Sequence, residues 1–115
     1  MINIEKISVD DLLQMQNNHK DIALIDVRSR REYLEEHIPG AINIICEEII
    51  KDSQINFEYY LKENGIAFNG KYIIVYCDRG GRSIYFTKYL IECGYNAVSL
   101  TGGYRAYRRQ KLKLS

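Results

Sequence analysis

Tyr72-Ile73-Ile74-Val75-Tyr76 runs directly into Cys77-Asp78-Arg79-Gly80-Gly81-Arg82, and this stretch decides the fold. Its first half is a continuous apolar run of strand length, which is typical of a strand that is covered on both faces. The glycine-rich second half leads into residues 83–92, which have the apolar spacing of an amphipathic helix. A buried strand followed by a short loop and a helix indicates a parallel β-α-β arrangement.

The same alternation of strand and helix continues on both sides of that stretch. Strands are predicted at residues 2–7, 23–27, 41–44 and 97–100, and helices at 9–17, 30–36, 47–51, 57–63 and 104–112. Ser8 precedes the first helix, and Ser29 precedes the second with Glu32 three residues later, as in a capping box. This order predicts one doubly wound α/β domain over residues 1–115, with a mostly parallel sheet of about five strands and helices on both faces.

Composition excludes several classes of protein. The chain has 115 residues, 46% of them hydrophobic and 27% charged, which fits one folded domain rather than a disordered segment. The net charge of +1 argues against a general nucleic-acid binder. No apolar run approaches the ~20 residues that cross a bilayer, and the N-terminus does not have the pattern of a secretory signal. We therefore expect a cytoplasmic protein with no membrane partner.

The glycine loop has the features of a nucleophile site. Cys77 lies at the carboxyl end of the fourth predicted strand, where open parallel sheets bind their ligands. Gly80 and Gly81 allow backbone N–H groups to converge on one point, the next helix begins there, and Arg79 and Arg82 add positive charge. These features favour a thiolate, so we expect Cys77 to be reactive near neutral pH and to hold an anionic group on its sulfur. The alternatives are a buried structural cysteine and a phosphate loop, although the Gly-Lys-Ser/Thr ending of a Walker loop is missing.

Several short motifs in register carry a resemblance to a known family. They are Asp26-Val27-Arg28, Glu32-Tyr33, His37-Ile38-Pro39-Gly40-Ala41-Ile42-Asn43, Tyr76-Cys77, Gly80, Arg82-Ser83 and Leu100-Thr101-Gly102-Gly103. In this order the chain resembles the rhodanese homology domain over almost its whole length. Two departures are Tyr104 and Tyr107 where the family often has Trp, and Ile45-Cys46 where it often has Pro.

The resemblance implies a small sulfurtransferase. Cys77 would take a sulfane sulfur from a small donor such as thiosulfate, become a persulfide, and pass the sulfur to a thiophilic acceptor. The loop would bind the substrate through Asp78, Arg79, Gly80, Gly81 and Arg82. No metal or organic cofactor is implied, because the chemistry is exchange at sulfur.

Two other functions remain open on the sequence. A phosphatase or arsenate reductase of the same fold also uses a Cys…Arg loop, but the phosphatases have one residue more than the four between Cys77 and Arg82. The shorter loop suits a persulfide sulfur better than a tetrahedral oxyanion. A non-catalytic persulfide carrier or binding module is the third reading, although such members usually lack the cysteine.

Residues outside the loop have structural interpretations as well as functional ones. We predict that Asp26 and Arg28 form a structural ion pair, with a catalytic role at the strand end as the alternative. We predict that His37 fixes a loop by a hydrogen bond, with a general-base role as the alternative. Cys46 and Cys93 are interpreted as small buried hydrophobes, with a resolving role for either as the alternative. Neither histidine has metal-ligand spacing with a cysteine, and the three cysteines form no CxxC pair.

Charge near the C-terminus is one-sided. No acidic residue follows Glu92, whereas five cations do: Arg105, Arg108, Arg109, Lys111 and Lys113. This basic helix either complements its own dipole or docks an acidic partner, such as a sulfur-acceptor protein or a tRNA.

Asp78, next to the nucleophile, is predicted to repel a thiosulfate dianion and to slow its use. The alternative is that Asp78 faces solvent or pairs with Arg79.

Overall fold

The computed structural model describes residues 4–18, 20–45, 61–62, 68 and 70–114, and the strands in these ranges form one parallel sheet. The strands are β1 (Lys6–Ile7), β2 (Ile22–Asp26), β3 (Ile42–Asn43), β4 (Tyr72–Tyr76) and β5 (Ala97–Leu100). Their order across the sheet is β1-β5-β4-β2-β3, and every pairing is parallel. The predicted five-strand parallel sheet is confirmed.

Four helices surround the sheet in the described ranges. They are α1 (Val9–Asn17), α2 (Arg30–Glu35), α3 (Arg82–Glu92) and α4 (Gly103–Leu114). Ser8 and Ser29 both form capping boxes, with Asp11 and Glu32 as their partners, so the predicted helix starts are confirmed. The predicted helices at 47–51 and 57–63 lie outside the described residues, except for residues 61 and 62, which are helical. None of the described helices is long and apolar enough to cross a membrane.

The apolar run of β4 is explained by helices on both faces of the sheet. Ile73 and Phe86 of α3 belong to one buried cluster. Ile74 belongs to a second cluster, with Leu12 of α1 and Tyr107 of α4. Because successive side chains of a strand point to opposite faces, β4 must be apolar at every position.

The topology fixes where a ligand site is expected. From β2 the chain leads to β3 on one side of the sheet, whereas from β4 it leads to β5 on the other side. The two connections leave in opposite directions, and this opens a crevice at the carboxyl ends of β2 and β4. Asp26 is in register with Tyr76, so Arg28 and Asp78 follow the ends of neighbouring strands at that crevice.

Candidate active site

Cys77 lies at the bottom of the loop that joins β4 to α3. Its side chain is 2% exposed, and the N–H of Gly80 donates to Sγ at 3.0 Å. The Cys77 thiol in turn lies 3.7 Å from the Ser83 hydroxyl and donates to it. A backbone amide aimed at the sulfur is the feature that the glycine loop predicted for this position.

Two glycines allow the loop to approach the start of α4 closely. Gly80 has φ +104°, and a Cβ added there would lie 3.3 Å from the backbone nitrogen of Gly102. Gly103 has φ +60°, and an added Cβ would collide with the carbonyl oxygen of Cys77. These positions therefore require glycine both for their backbone conformation and for the contact between the loop and α4.

Backbone hydrogen bonds hold the loop against α4. The N–H of Tyr104 donates to the carbonyl oxygen of Cys77 at 2.8 Å, and the N–H of Arg105 donates to that of Asp78 at 3.0 Å. The first turn of α4 thereby supplies two of its unpaired donors to the two carbonyls that follow β4. As a result, the backbone at Cys77 and Asp78 is fixed by an element that follows it by more than twenty residues.

The start of α3 faces the same loop with its N–H groups uncapped by a side chain. Its N-cap residue is Gly81, which makes no side-chain hydrogen bond to the first turn. The first turn contains no acidic residue, so the positive end of the helix dipole is not neutralised from within α3. Arg82, half exposed, lies 3.8 Å from Glu32 of α2. This end of the loop suits an anionic group.

Asp78 pairs with Arg105, and not with Arg79 as the alternative interpretation of the sequence had it. The Arg105 Nε donates to Asp78 Oδ2 at 2.8 Å, and the two side chains are 56% and 28% exposed. Arg79 is exposed and lines the cleft beside the loop. The carboxylate next to Cys77 therefore has a cation from α4 as its partner.

Two buried serines near Cys77 were missed as site residues. The Ser83 hydroxyl lies 2.7 Å from the Ser99 hydroxyl and 3.3 Å from the carbonyl oxygen of Gly80. Both serines are fully buried or nearly so. Ser99 is a polar residue within an otherwise apolar strand, and this was the signal in the sequence. The two hydroxyls form a short chain that ends at the Cys77 sulfur.

The sequence around this loop matches a known family. A family model described as the rhodanese-like domain matches residues 8–110. The chain belongs to the rhodanese-like domain family. The resemblance that the motifs indicated is thereby confirmed. The match includes eight of the nine helices and strands given above, and it omits only β1 and the last turn of α4.

Relatives of this rhodanese-like chain include both small and large proteins. Thiosulfate sulfurtransferase GlpE of Shewanella oneidensis is 30% identical over 93% of this chain and 95% of its own length. The human single-domain sulfurtransferase TSTD1 has the same fold, with a TM-score of 0.77 at 24% identity over 94% of this chain and 98% of that one. The tRNA sulfurtransferase of Desulfurococcus amylolyticus is 33% identical over 76% of this chain. The matched region is only 15% of the length of that larger protein.

A buried charge network supports the crevice of the rhodanese-like domain. Asp26 is fully buried and accepts hydrogen bonds from the backbone and guanidinium of Arg28, at 2.8–3.2 Å, and from the Tyr76 hydroxyl at 2.8 Å. Arg28 also donates to the carbonyl oxygen of Glu36 at 2.6 Å. The predicted structural ion pair is therefore present. The predicted loop contact of His37 is present as well, because its Nδ1 lies 2.8 Å from the Tyr33 carbonyl oxygen.

Tyr104 covers this network on the side of the cleft. The Arg28 guanidinium lies 4.3 Å from the centre of the Tyr104 ring, and the Tyr104 hydroxyl donates to Glu36 at 2.9 Å. Burial, together with the Glu36 carboxylate, raises the pKa of Tyr104 to about 12. Burial also raises the pKa of Tyr76 far above its ordinary value. Both phenols are neutral hydrogen-bond donors at physiological pH.

The remaining cysteines differ from the interpretation made on the sequence. Cys93 follows α3 at the opposite end of the sheet and is exposed, so its prediction as a small buried hydrophobe is wrong. Cys93 is the C-cap residue of α3 and lies beyond Leu90, the last buried side chain of that helix. Cys46 lies outside the described residues. In the described ranges, no group of three or more metal-binding side chains is clustered.

Proposed function

We propose that this chain is a sulfurtransferase that moves a sulfane sulfur from a donor such as thiosulfate to a thiophilic acceptor through a persulfide on Cys77. The observation that carries the proposal is the Gly80 N–H, which points at Sγ from 3.0 Å inside a loop closed by the uncapped start of α3. Relatives that are named sulfurtransferases support the same chemistry.

The reaction divides into two exchanges at sulfur. In the first, the Cys77 thiolate attacks the outer sulfur of thiosulfate, a new S–S bond forms, and sulfite leaves with the electrons of the old bond. In the second, the acceptor attacks the outer sulfur of the persulfide, and the Cys77 thiolate leaves. No external oxidant or reductant is consumed, so the proposal requires no metal or organic cofactor.

Each loop residue has a proposed part in this cycle. The N–H groups at Gly80 and Gly81 and at the start of α3 stabilise negative charge on the sulfur and on the persulfide. Arg79 and Arg82 attract the anionic donor. Asp78 would oppose the donor, and Arg105 offsets that charge at 2.8 Å. The Ser83 hydroxyl accepts a hydrogen bond from the Cys77 thiol and so orients Sγ beneath the loop.

Loop length favours this function over the phosphatase alternative. Four residues separate Cys77 from Arg82, and a Gly80 amide already lies at hydrogen-bond distance from Sγ. Such a cradle fits one additional sulfur atom better than a tetrahedral oxyanion.

We also propose that residues 1–115 act as one domain in the cytoplasm, where thiols stay reduced.

The decisive experiment compares three cysteine variants. Cys77→Ser should abolish thiocyanate formation from thiosulfate and cyanide, whereas Cys46→Ser and Cys93→Ser should keep most of it. Intact mass after exposure to thiosulfate should show one added sulfur on Cys77, and cyanide should remove it. Full turnover by Cys77→Ser would overturn the assignment, and hydrolysis of an aryl phosphate without any sulfur adduct would favour the phosphatase.

A further inference from the structure

A charged cleft of about 920 Å³ opens beside the Cys77 loop, and its two walls carry opposite charge. We call the wall formed by Arg105, Arg108 and Arg109 the α4 wall and the wall formed by Glu32, Glu35 and Glu36 the α2 wall. Asp78 and Arg79 of the loop line the same cleft. A molecule bound in the cleft would therefore lie against Asp78 and Arg79, the two residues that follow Cys77 in the loop.

The acids of the α2 wall already have partners. Glu32 accepts from Ser29 in a capping box and lies 3.8 Å from Arg82. Glu35 pairs with Arg31, and Glu36 accepts the hydroxyl hydrogen bond of Tyr104. The Glu36 partner is a neutral hydroxyl, and the exposed pair of Glu35 with Arg31 offsets little charge, so this wall stays acidic.

The cations that line the cleft are less compensated. Arg105 is paired with Asp78, but Arg79, Arg108 and Arg109 make no ion pair with any other residue in the part of the chain that the structure describes. All three are exposed. Guanidinium groups bind carboxylates in a bidentate manner, so the cleft has spare capacity for an anionic ligand.

The acidic wall decides which kind of anion fits. A nucleic-acid backbone in the cleft would bring its phosphates against Glu32, Glu35 and Glu36, where like charges repel. A polypeptide segment can place its carboxylates toward α4 and its backbone N–H groups toward α2. The cleft is also at the upper end of the ~300–1,000 Å³ range of small-ligand sites, which is room for a peptide segment.

We infer that the sulfur acceptor is a protein that presents a thiol within an acidic segment, and that Arg79, Arg108 and Arg109 hold this segment in the cleft. The inference rests on the proposed sulfurtransferase function and names its acceptor. The acceptor thiolate attacks the outer sulfur of the Cys77 persulfide, a new S–S bond forms on the acceptor, and the Cys77 thiolate leaves. On the basic helix, the cations proposed to bind the acceptor are Arg108 and Arg109. Lys111 and Lys113 are not among the described residues that line the cleft, so they have no part in this binding.

The test compares two double variants of the same helix. Arg108→Gln/Arg109→Gln removes two cations from the cleft, and Lys111→Gln/Lys113→Gln removes two cations outside its lining. The acceptors are a synthetic peptide with one Cys among Asp and Glu residues and its counterpart with Asn and Gln. The measured quantity is the ratio of kcat/KM for the acidic peptide to that for the neutral one, with thiosulfate as donor, so that effects on the donor step cancel.

The parent should prefer the acidic peptide at low salt. The arginine variant should reduce this preference by roughly 2- to 30-fold, as expected for the loss of two partly exposed ion pairs. The lysine variant should keep it. Equal use of both peptides by the parent, or an equal reduction in both variants, would overturn the inference.

A binding measurement separates this inference from the proposed chemistry. The same peptides with Ser in place of Cys are titrated into the Cys77→Ser protein, and anisotropy reports binding without any sulfur transfer. Binding of the acidic peptide that depends on Arg108 and Arg109 supports the docking surface even if no sulfurtransferase activity exists. Single-stranded RNA is the competitor. If RNA displaces the acidic peptide at a concentration below the Kd of that peptide, the cleft is a nucleic-acid site and the inference is overturned.

Discussion

Arg105→Gln removes the cation that lies 2.8 Å from Asp78 and leaves the carboxylate next to Cys77 without that partner. At roughly 6 Å, such a carboxylate repels each charge of an incoming donor by about 0.7 kcal/mol in a water-like dielectric and by ~3 kcal/mol at an effective dielectric near 20. Both side chains are partly exposed, so the lower figure applies. Thiosulfate carries two charges, and the penalty becomes about 1.4 kcal/mol, or roughly tenfold in kcat/KM.

The charge argument makes opposite predictions for the two single variants. Arg105→Gln should lower kcat/KM for thiosulfate about tenfold at low ionic strength. Asp78→Asn should raise it by up to a similar factor, because Arg105 then attracts the donor without opposition. The double variant, which restores the net charge, should return close to the parent. All differences should shrink as salt is added, since the Debye length falls from about 10 Å at 0.1 M to about 3 Å at 1 M.

The assay is thiocyanate formation at two ionic strengths, with kcat/KM for thiosulfate as the measured quantity. Lys111→Gln serves as a control for the loss of one cation from α4 away from the cleft lining. An Asp78→Asn protein that is equal to or slower than the parent at low salt would refute the repulsion. A double variant as slow as Arg105→Gln alone would show that Arg105 acts by something other than cancelling the charge of Asp78.

Four further predictions follow from the geometry. Tyr76→Phe removes the hydroxyl that donates to the buried Asp26, so unfolding in urea should show a loss of about 1–3 kcal/mol, and an unchanged midpoint would contradict this. The folded-state pKa of Tyr104 is raised to about 12 from an ordinary value of 10.0, so the stability that its neutral form provides is present below pH 10 and lost as pH rises toward 12. The free energy of unfolding of Tyr104→Phe should therefore fall less than that of the parent between pH 10 and pH 12. Equal losses in the two proteins would exclude the effect. Gly103→Ala should lower thiosulfate turnover because the added Cβ collides with the loop backbone. Gly94→Ala is the control, since Gly94 also has a positive φ but has open space around it, and this variant should keep turnover. Equal activity in the two variants would argue against the close contact. Dialysis against a chelator should leave turnover intact, and a loss that one metal restores would refute exchange without a metal.

Local sequence determined the helices and strands and the position of Cys77 at the end of β4. The strand at Tyr72–Tyr76 and the start of α2 after Ser29 were predictable because each depends on neighbouring residues: apolar runs, capping side chains and glycine turns. Cys77 could be singled out because it follows a buried strand directly and precedes two glycines. The alternation of strands and helices then required a parallel sheet, with the loop at its carboxyl edge.

Only the tertiary structure decided what surrounds Cys77. Asp78 meets Arg105 across 27 positions of sequence, and Ser83 meets Ser99 across 16, because α4 and β5 pack beside the loop. The pattern of residues contained no sign of which arginine would face the carboxylate, and Arg79, the neighbour in sequence, points into the cleft lining instead. Periodicity and capping are set by residues a few positions apart, whereas these contacts depend on where the sheet and its connections place separate elements, and that placement is fixed only when the whole core packs.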